Sequence, residues 1–138
     1  MKHRLQTILF LAIALISCKD DNPPAAAPTP PNQKYTEKMS SITDTELPAQ
    51  TAVNQKLTFI VNHAVYNGCG QYARHETVVT GKDIYVTFYA NYPVDAFCTQ
   101  DVPIRSTAYE FTPTEIGDYV FHFKKGDNAY LLGTLTVN

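Results

Sequence analysis

"DIYVTFYANYP", residues 83–93, alternates without a break: Ile84, Val86 and Phe88 share one side of an extended chain, and Tyr85, Thr87 and Tyr89 share the other. Successive side chains of a β-strand point to opposite faces, so this spacing predicts a strand with its aliphatic and Phe side against a core. Pro93 ends it, because proline has no N–H for a ladder. Downstream, "GDYVFHFKKGD" (117–127) repeats the pattern with Tyr119, Phe121 and Phe123, and its Lys124-Lys125-Gly126-Asp127 turn leads into "AYLLGTLTVN" (129–138). "STAYEFTP" (106–113) carries Tyr109 and Phe111. Upstream, "KLTFIVN" (56–62) puts Leu57, Phe59 and Val61 on one face, and "QYARHETVVTG" (71–81) is a weaker strand ending at Gly81. Residues 40–47 supply an opening strand. No long 3.6-residue apolar pattern competes. About seven short strands separated by turn signals predict an all-β domain, a single antiparallel β-sandwich.

One stretch narrows the class. "FTPTEIGDYVFHF" (111–123) resembles the segment that enters the penultimate strand of immunoglobulin-like and fibronectin-like domains, with Pro113, Gly117 and Tyr119 at the matching places. The resemblance implies that the Tyr119 hydroxyl bonds back to the corner while its ring packs inside. Phe121 stands where antibody domains carry their second cysteine, and the chain has no Trp. The resemblance therefore implies a general immunoglobulin-like sandwich, not an antibody-family domain.

The start of the chain is of another kind. Lys2, His3 and Arg4 precede an apolar run from Leu5 to Ile16, about half of the roughly 20 residues that a bilayer-spanning helix needs. A basic start and a short apolar stretch match a secretory signal peptide. In place of a small-x-small cleavage site stands Leu15-Ile16-Ser17-Cys18, which resembles a bacterial lipobox. That resemblance implies removal of residues 1–17 and acylation of Cys18, whose fatty chains (palmitate among them) hold the protein to a membrane. Lys19-Asp20-Asp21 resembles the lipoprotein export signal of Bacteroidota, which implies an outer-membrane lipoprotein at the cell surface; a periplasm-facing one is the alternative.

Residues 18–36 read as the acylated cysteine and a spacer. Five of the nine prolines fall here and no aromatic residue before Tyr35, a composition that favours extended polyproline-like chain over a core. The sandwich is expected over residues 37–138. Leader removal takes away Lys2 and Arg4 but no acid, so 11 Lys+Arg against 13 Asp+Glu become nine against 13, a net charge of −4. With no basic run and no RNA-binding aromatic motif, nucleic acid is not an expected partner.

With Cys18 assigned to lipid, Cys69 and Cys98 remain as an even pair in an oxidising compartment, where disulfides persist. Two rival readings stand beside the disulfide: a thiol nucleophile with His63 or His75 as base, or a metal held by the same four residues. Neither has a recognised spacing. The motifs of serine and β-lactam-type hydrolases, zinc proteases, phosphate loops and calcium loops are all missing, and no cofactor is implied. Asp95 and Asp101 flank Cys98 as a loop carboxylate pair. His122 lies mid-strand between Phe121 and Phe123 and is expected to face outward or toward the opposite sheet.

Tyrosines gather around the cysteines: Tyr66, Tyr72, Tyr85, Tyr89 and Tyr92. Tyrosine offers a large contact area at low entropic cost, as binding surfaces require. Tyr66, Tyr72, Tyr89 and Tyr92 are thus candidate binding residues, expected together on one exposed patch. Two functions follow: a membrane-anchored, non-catalytic binding or scaffolding module for a protein or glycan, or a small hydrolase or metal-dependent enzyme using loop His and Asp residues. Convergence of His63, His75, Asp95 and Asp101 in one pocket would favour the second.

Overall fold

The computed structural model describes residues 33–138; the leader, Cys18 and most of the spacer lie outside the described residues. Eight strands follow one another: β1 (Tyr35–Thr45), β2 (Gln50–Thr51), β3 (Leu57–Ala64), β4 (Gln71–Thr80), β5 (Asp83–Pro93), β6 (Ile104–Phe111), β7 (Gly117–Gly126) and β8 (Ala129–Val137). Their hydrogen-bonded order is β2-β8-β7-β5-β1-β3-β6, with β4 on β5. The sheet folds over on itself at β1. Tyr35–Ser40 of that strand pair with β5, and beyond Ser40 the strand pairs with β3, past a bulge between Ile42 and Asp44. Two facing layers result, β2-β8-β7-β5-β4 and β1-β3-β6. The described residues form an all-β sandwich.

Alternation decides what fills it. Along β5 every second residue from Ile84 to Tyr92 is buried. Ile84, Val86, Phe88, Phe121, Phe123 and Leu135 from the larger layer meet Phe59, Val61 and Tyr109 from the smaller, with Ile42 between. The Phe59 ring stands edge-on to Phe121 and Phe123 at centroid distances of 6.1 and 6.4 Å. Each such side chain contributes about 1.5–3 kcal/mol on full burial.

The corner implied by the immunoglobulin resemblance is present. Tyr119 is buried, and its hydroxyl oxygen accepts the backbone N–H of Glu115 at 3.1 Å. Its ring stands edge-on to Phe111 at 5.6 Å, Pro113 is fully buried, and Gly117 holds φ at 114°, a region that favours glycine.

Two features correct the expectation of a purely antiparallel sandwich of about seven strands. The pairing is mixed: β5 runs parallel to β7 (Ile84 opposite Phe121, Tyr85 opposite His122), and the short β2 runs parallel to β8. In the immunoglobulin arrangement the penultimate strand lies beside strand C. Here the β4–β5 hairpin presents its second strand to β7 instead, which leaves β4 as a sheet edge. That position explains why β4 reads weakly: it is exposed on both faces, with Val78 and Val79 each 59% exposed.

Candidate functional site

The outward side of the larger layer is built by the same alternation that fills the core. Cross-strand register places Val78 beside Tyr85, Tyr85 beside His122, and His122 beside Leu132. With strands about 4.8 Å apart, this row crosses four strands and about 14 Å of sheet. The Tyr85 and His122 rings stack at 4.4 Å with 13° between planes, and Tyr130 stands edge-on to both at 6.0 Å. His122 Nε2 lies 2.8 Å from Asp83 Oδ1, which fixes the imidazole against the sheet. Lys124 rises over the Tyr130 ring, 5.4 Å from its centroid. Leu132 is 63% exposed and Tyr130 39%. The result is a solvent-facing strip of stacked rings and aliphatic groups with a cation and a carboxylate at its margins.

A polar cluster lies beside it on the same face. Arg74 donates through Nε and an amino nitrogen to the Glu37 carboxylate at 2.8–3.1 Å, and through its other amino group to Glu76 at 2.6 Å. Its guanidinium lies 4.0 Å from the Tyr89 ring centroid, and the Tyr89 hydroxyl donates to Glu76 at 3.0 Å. Hydrogen bonds from Arg74, then from Tyr89, hold the Glu76 carboxyl below its ordinary pKa. Desolvation first, then the Glu76 carboxylate, pushes the Tyr89 hydroxyl up. Glu37, Arg74, Glu76 and Tyr89 satisfy one another and tie β1, β5 and β4 together.

The four tyrosines singled out from sequence do not share one patch. Tyr89 belongs to the cluster just described. Tyr72 points to the opposite side of its sheet, where its ring meets Phe88 at 5.4 Å and its hydroxyl bonds His75 Nδ1 at 2.7 Å. Tyr92 is buried, 7% exposed, because it shares the parity of Ile84, Val86 and Phe88. Its hydroxyl accepts the backbone N–H of Tyr66 at 2.9 Å. Tyr66 is exposed on the β3–β4 loop and borders a cavity of about 260 Å³ with Lys38, Asn67 and Val94. Sequence reasoning placed Tyr85 on the outer face but omitted Tyr130, His122 and Leu132 from the candidate set. The signal was the parity of His122 between two inward phenylalanines.

Cys69 and Cys98 form a disulfide, with Cα atoms 5.5 Å apart. It joins the β3–β4 loop to the β5–β6 loop at one end of the sandwich, and Arg105 reinforces the joint by donating to the carbonyls of Gly70 (3.0 Å) and Gly68 (2.9 Å). Close approach requires a glycine at position 70, and the glycine at position 68 leaves room for the Thr99 hydroxyl. A Cβ on Gly70 would stand 2.6 Å from the Val65 Cβ, and one on Gly68 would collide with Thr99.

Of the residues that would serve an enzyme, His63 and His75 both pack against Tyr72 and Phe88, and the cysteines and loop carboxylates do not join them. His63 is fully buried, with Nε2 3.2 Å from Thr107 Oγ1 and its ring edge-on to Phe88. Burial, and then the charge of Arg105, lower its pKa and favour the neutral ring. His75 engages Tyr72, while Asp95 and Asp101 lie in the β5–β6 loop and bond neither histidine. Cys69 and Cys98 are joined to each other. Among the described residues no three His, Cys, Asp or Glu side chains are grouped to hold a metal ion.

No curated protein and no solved structure matches the chain. The family model of the ORF11 beta-sandwich domain matches residues 59–137, from β3 to the end of β8 and over more than half of the chain, and the chain belongs to that family.

Proposed function

We propose that this protein is a lipid-anchored, surface-displayed lipoprotein of the outer membrane that acts as a non-catalytic binding or scaffolding module, meeting a protein or glycan partner through the outer face of its larger layer. The observation that carries the reading is the outward-facing row Val78–Tyr85–His122–Leu132, with Tyr130 beside it, in which Val78, Leu132 and Tyr130 are exposed and Tyr85 and His122 half-buried between them. Exposed aromatic and aliphatic groups that the fold does not need for its core are what an interaction surface supplies. Tyr85 and His122 are held in place by stacking and by Asp83, so little side-chain entropy is lost on contact. The sequence supports the address: the lipobox-like Leu15–Cys18, Lys19-Asp20-Asp21 and the proline-rich spacer, all outside the described residues.

The test joins address to surface. Proteinase added to intact cells digests a surface-displayed domain and spares a periplasm-facing one. Purified full-length protein is compared with the double variant Tyr130→Ala, Leu132→Ala on glycan arrays and in cross-linking to intact cells. Both residues are exposed, so the fold tolerates their loss. A drop of tenfold or more in retention supports the face, and equal retention by both proteins overturns it.

A further inference from the structure

The disulfide-tied end of the sandwich carries a second, separate exposed surface. Phe97, next to Cys98, is fully exposed, and Val94, Val102 and Ile104 are each more than half exposed. The β5–β6 loop that bears Phe97 is braced by the disulfide, by the Gly68 N–H to Thr99 carbonyl bond (3.2 Å) and by the Val65 N–H to Pro103 carbonyl bond (3.1 Å). These restraints hold an apolar tip in water instead of letting it fold back on the domain. Single exposed apolar residues are ordinary, but several gathered on one loop mark an interaction site.

The chain enters the domain at this same end. The Lys34 carbonyl accepts the Val94 N–H at 2.9 Å, and Tyr35 pairs with Pro93. Only fourteen residues lie between Cys18 and Gln33, and even extended at about 3.1 Å per residue this stretch reaches no more than about 50 Å. An acylated Cys18 would therefore keep the Phe97 tip within about 50 Å of the bilayer, by the end at which the chain enters the domain, where a tethered local concentration lets a small apolar contact count. The charges around the tip, Asp95 and Asp101 against Lys34, Lys38 and Arg105, leave it with only a small net charge. An exposed apolar loop of small net charge fits a zwitterionic lipid surface, and the cavity beside it, bordered by Tyr66, Asn67 and Val94, includes neither Phe97 nor Val102.

We infer that the Phe97 loop, with Val94 and Val102, docks into the interface of the membrane to which the chain is tethered, so that the domain rests on the bilayer by its disulfide end. The inference rests on the anchor reading above, and the experiment separates the two. The chain has no Trp, so Phe97→Trp creates a single emitter, and Ile116→Trp, exposed on the β6–β7 loop at the other end, serves as reference. Each full-length acylated variant is reconstituted into phosphatidylcholine vesicles with and without brominated acyl chains, and flotation and emission are recorded. Docking gives co-flotation, a blue-shifted Phe97→Trp emission, and bromolipid quenching at least threefold greater than for Ile116→Trp. Co-flotation with equally weak quenching of both probes overturns the docking and leaves the anchor standing. Failure to co-float overturns both. A blue shift that grows with protein density and ignores bromolipid assigns the tip to a second copy of the chain and also overturns the inference.

Discussion

Replacing Tyr119 by Phe removes one oxygen and leaves the ring, which isolates the corner hydrogen bond from packing. The ring keeps its edge-on contact with Phe111 at 5.6 Å and stays buried beneath the β6–β7 loop. What is lost is the acceptor for the Glu115 N–H, held at 3.1 Å. Because Glu115 is itself exposed, its amide regains water when the hydroxyl is gone. The cost is accordingly the net value of one hydrogen bond, about 0.5–1.5 kcal/mol, and not the larger penalty of an orphaned buried donor. With a urea m-value of about 1.5 kcal/mol/M, within the range usual for small domains, that corresponds to a fall in midpoint of about 0.3–1 M. Thermal melting should fall by about 2–12 °C, at roughly 4–8 °C per kcal/mol for a domain of this size. Tyr119→Ala removes the ring as well and should cost about 3–5 kcal/mol, the range for large aromatic truncations. Urea titration followed by circular dichroism gives both values. An unchanged midpoint for Tyr119→Phe would refute the view that the hydroxyl stabilises the corner, and with it the strongest local tie to immunoglobulin-like domains.

Two further perturbations address other parts of the fold. Cys69→Ala with Cys98→Ala opens a closure between residues 29 apart in sequence. The chain-entropy relation puts the loss at about 3–4 kcal/mol, and a melting temperature that does not respond to either the variant or a reductant would contradict it. His63, whose pKa burial and Arg105 lower in the folded state, takes up its proton more readily when unfolded, where it titrates near about 6.5. Its contribution is therefore unchanged above that value and turns destabilising as pH falls from about 6.5 toward the lower folded-state pKa, by at most about 1.4 kcal/mol per pH unit. His63→Phe should flatten stability measured by urea titration between pH 6.5 and 5, and an unaltered slope would remove His63 as its source.

Much of the fold is legible because burial in a sandwich follows parity, and parity is printed in the sequence. Ile84, Val86 and Phe88, then Phe121 and Phe123, face inward as their alternation requires. Parity says which face a residue takes but not which strand lies beside it, so the parallel β5–β7 pairing left no mark. The first half of β1 was hidden for a different reason. Tyr35, Thr36, Glu37 and Lys38 are exposed, and only backbone bonds to β5 make them a strand. The tyrosine patch failed on two counts. Tyr92 carries the inward parity of its strand, which proximity to the cysteines obscured. Tyr72 precedes a bulge between itself and Arg74, which turns Tyr72 and His75 to the same side despite their odd spacing. A bulge is an insertion in the pairing, not in the residue pattern, and alternation cannot reveal it.

The parallel pairing also bears on how the two proposed surfaces would lie relative to each other. Because β5 runs beside β7 in parallel, Tyr85 comes level with His122, and the aromatic row forms near the start of β5, away from the disulfide. Eight residues separate Tyr85 from Pro93, where the chain enters the domain. At about 3.3 Å per residue the row lies about 26 Å from that end. With the Phe97 tip on lipid, the strands would stand steeply from the membrane, and the strip of Tyr85, His122, Tyr130 and Leu132 would face sideways above the headgroups. The Glu37–Arg74–Glu76–Tyr89 cluster, nearer the entry by four residues of β5, would sit between row and bilayer, its one guanidinium shared by two carboxylates. An antiparallel β5–β7 pairing would not put Tyr85 beside His122 in this register. The departure from the immunoglobulin arrangement is thus the feature that assembles the proposed contact face.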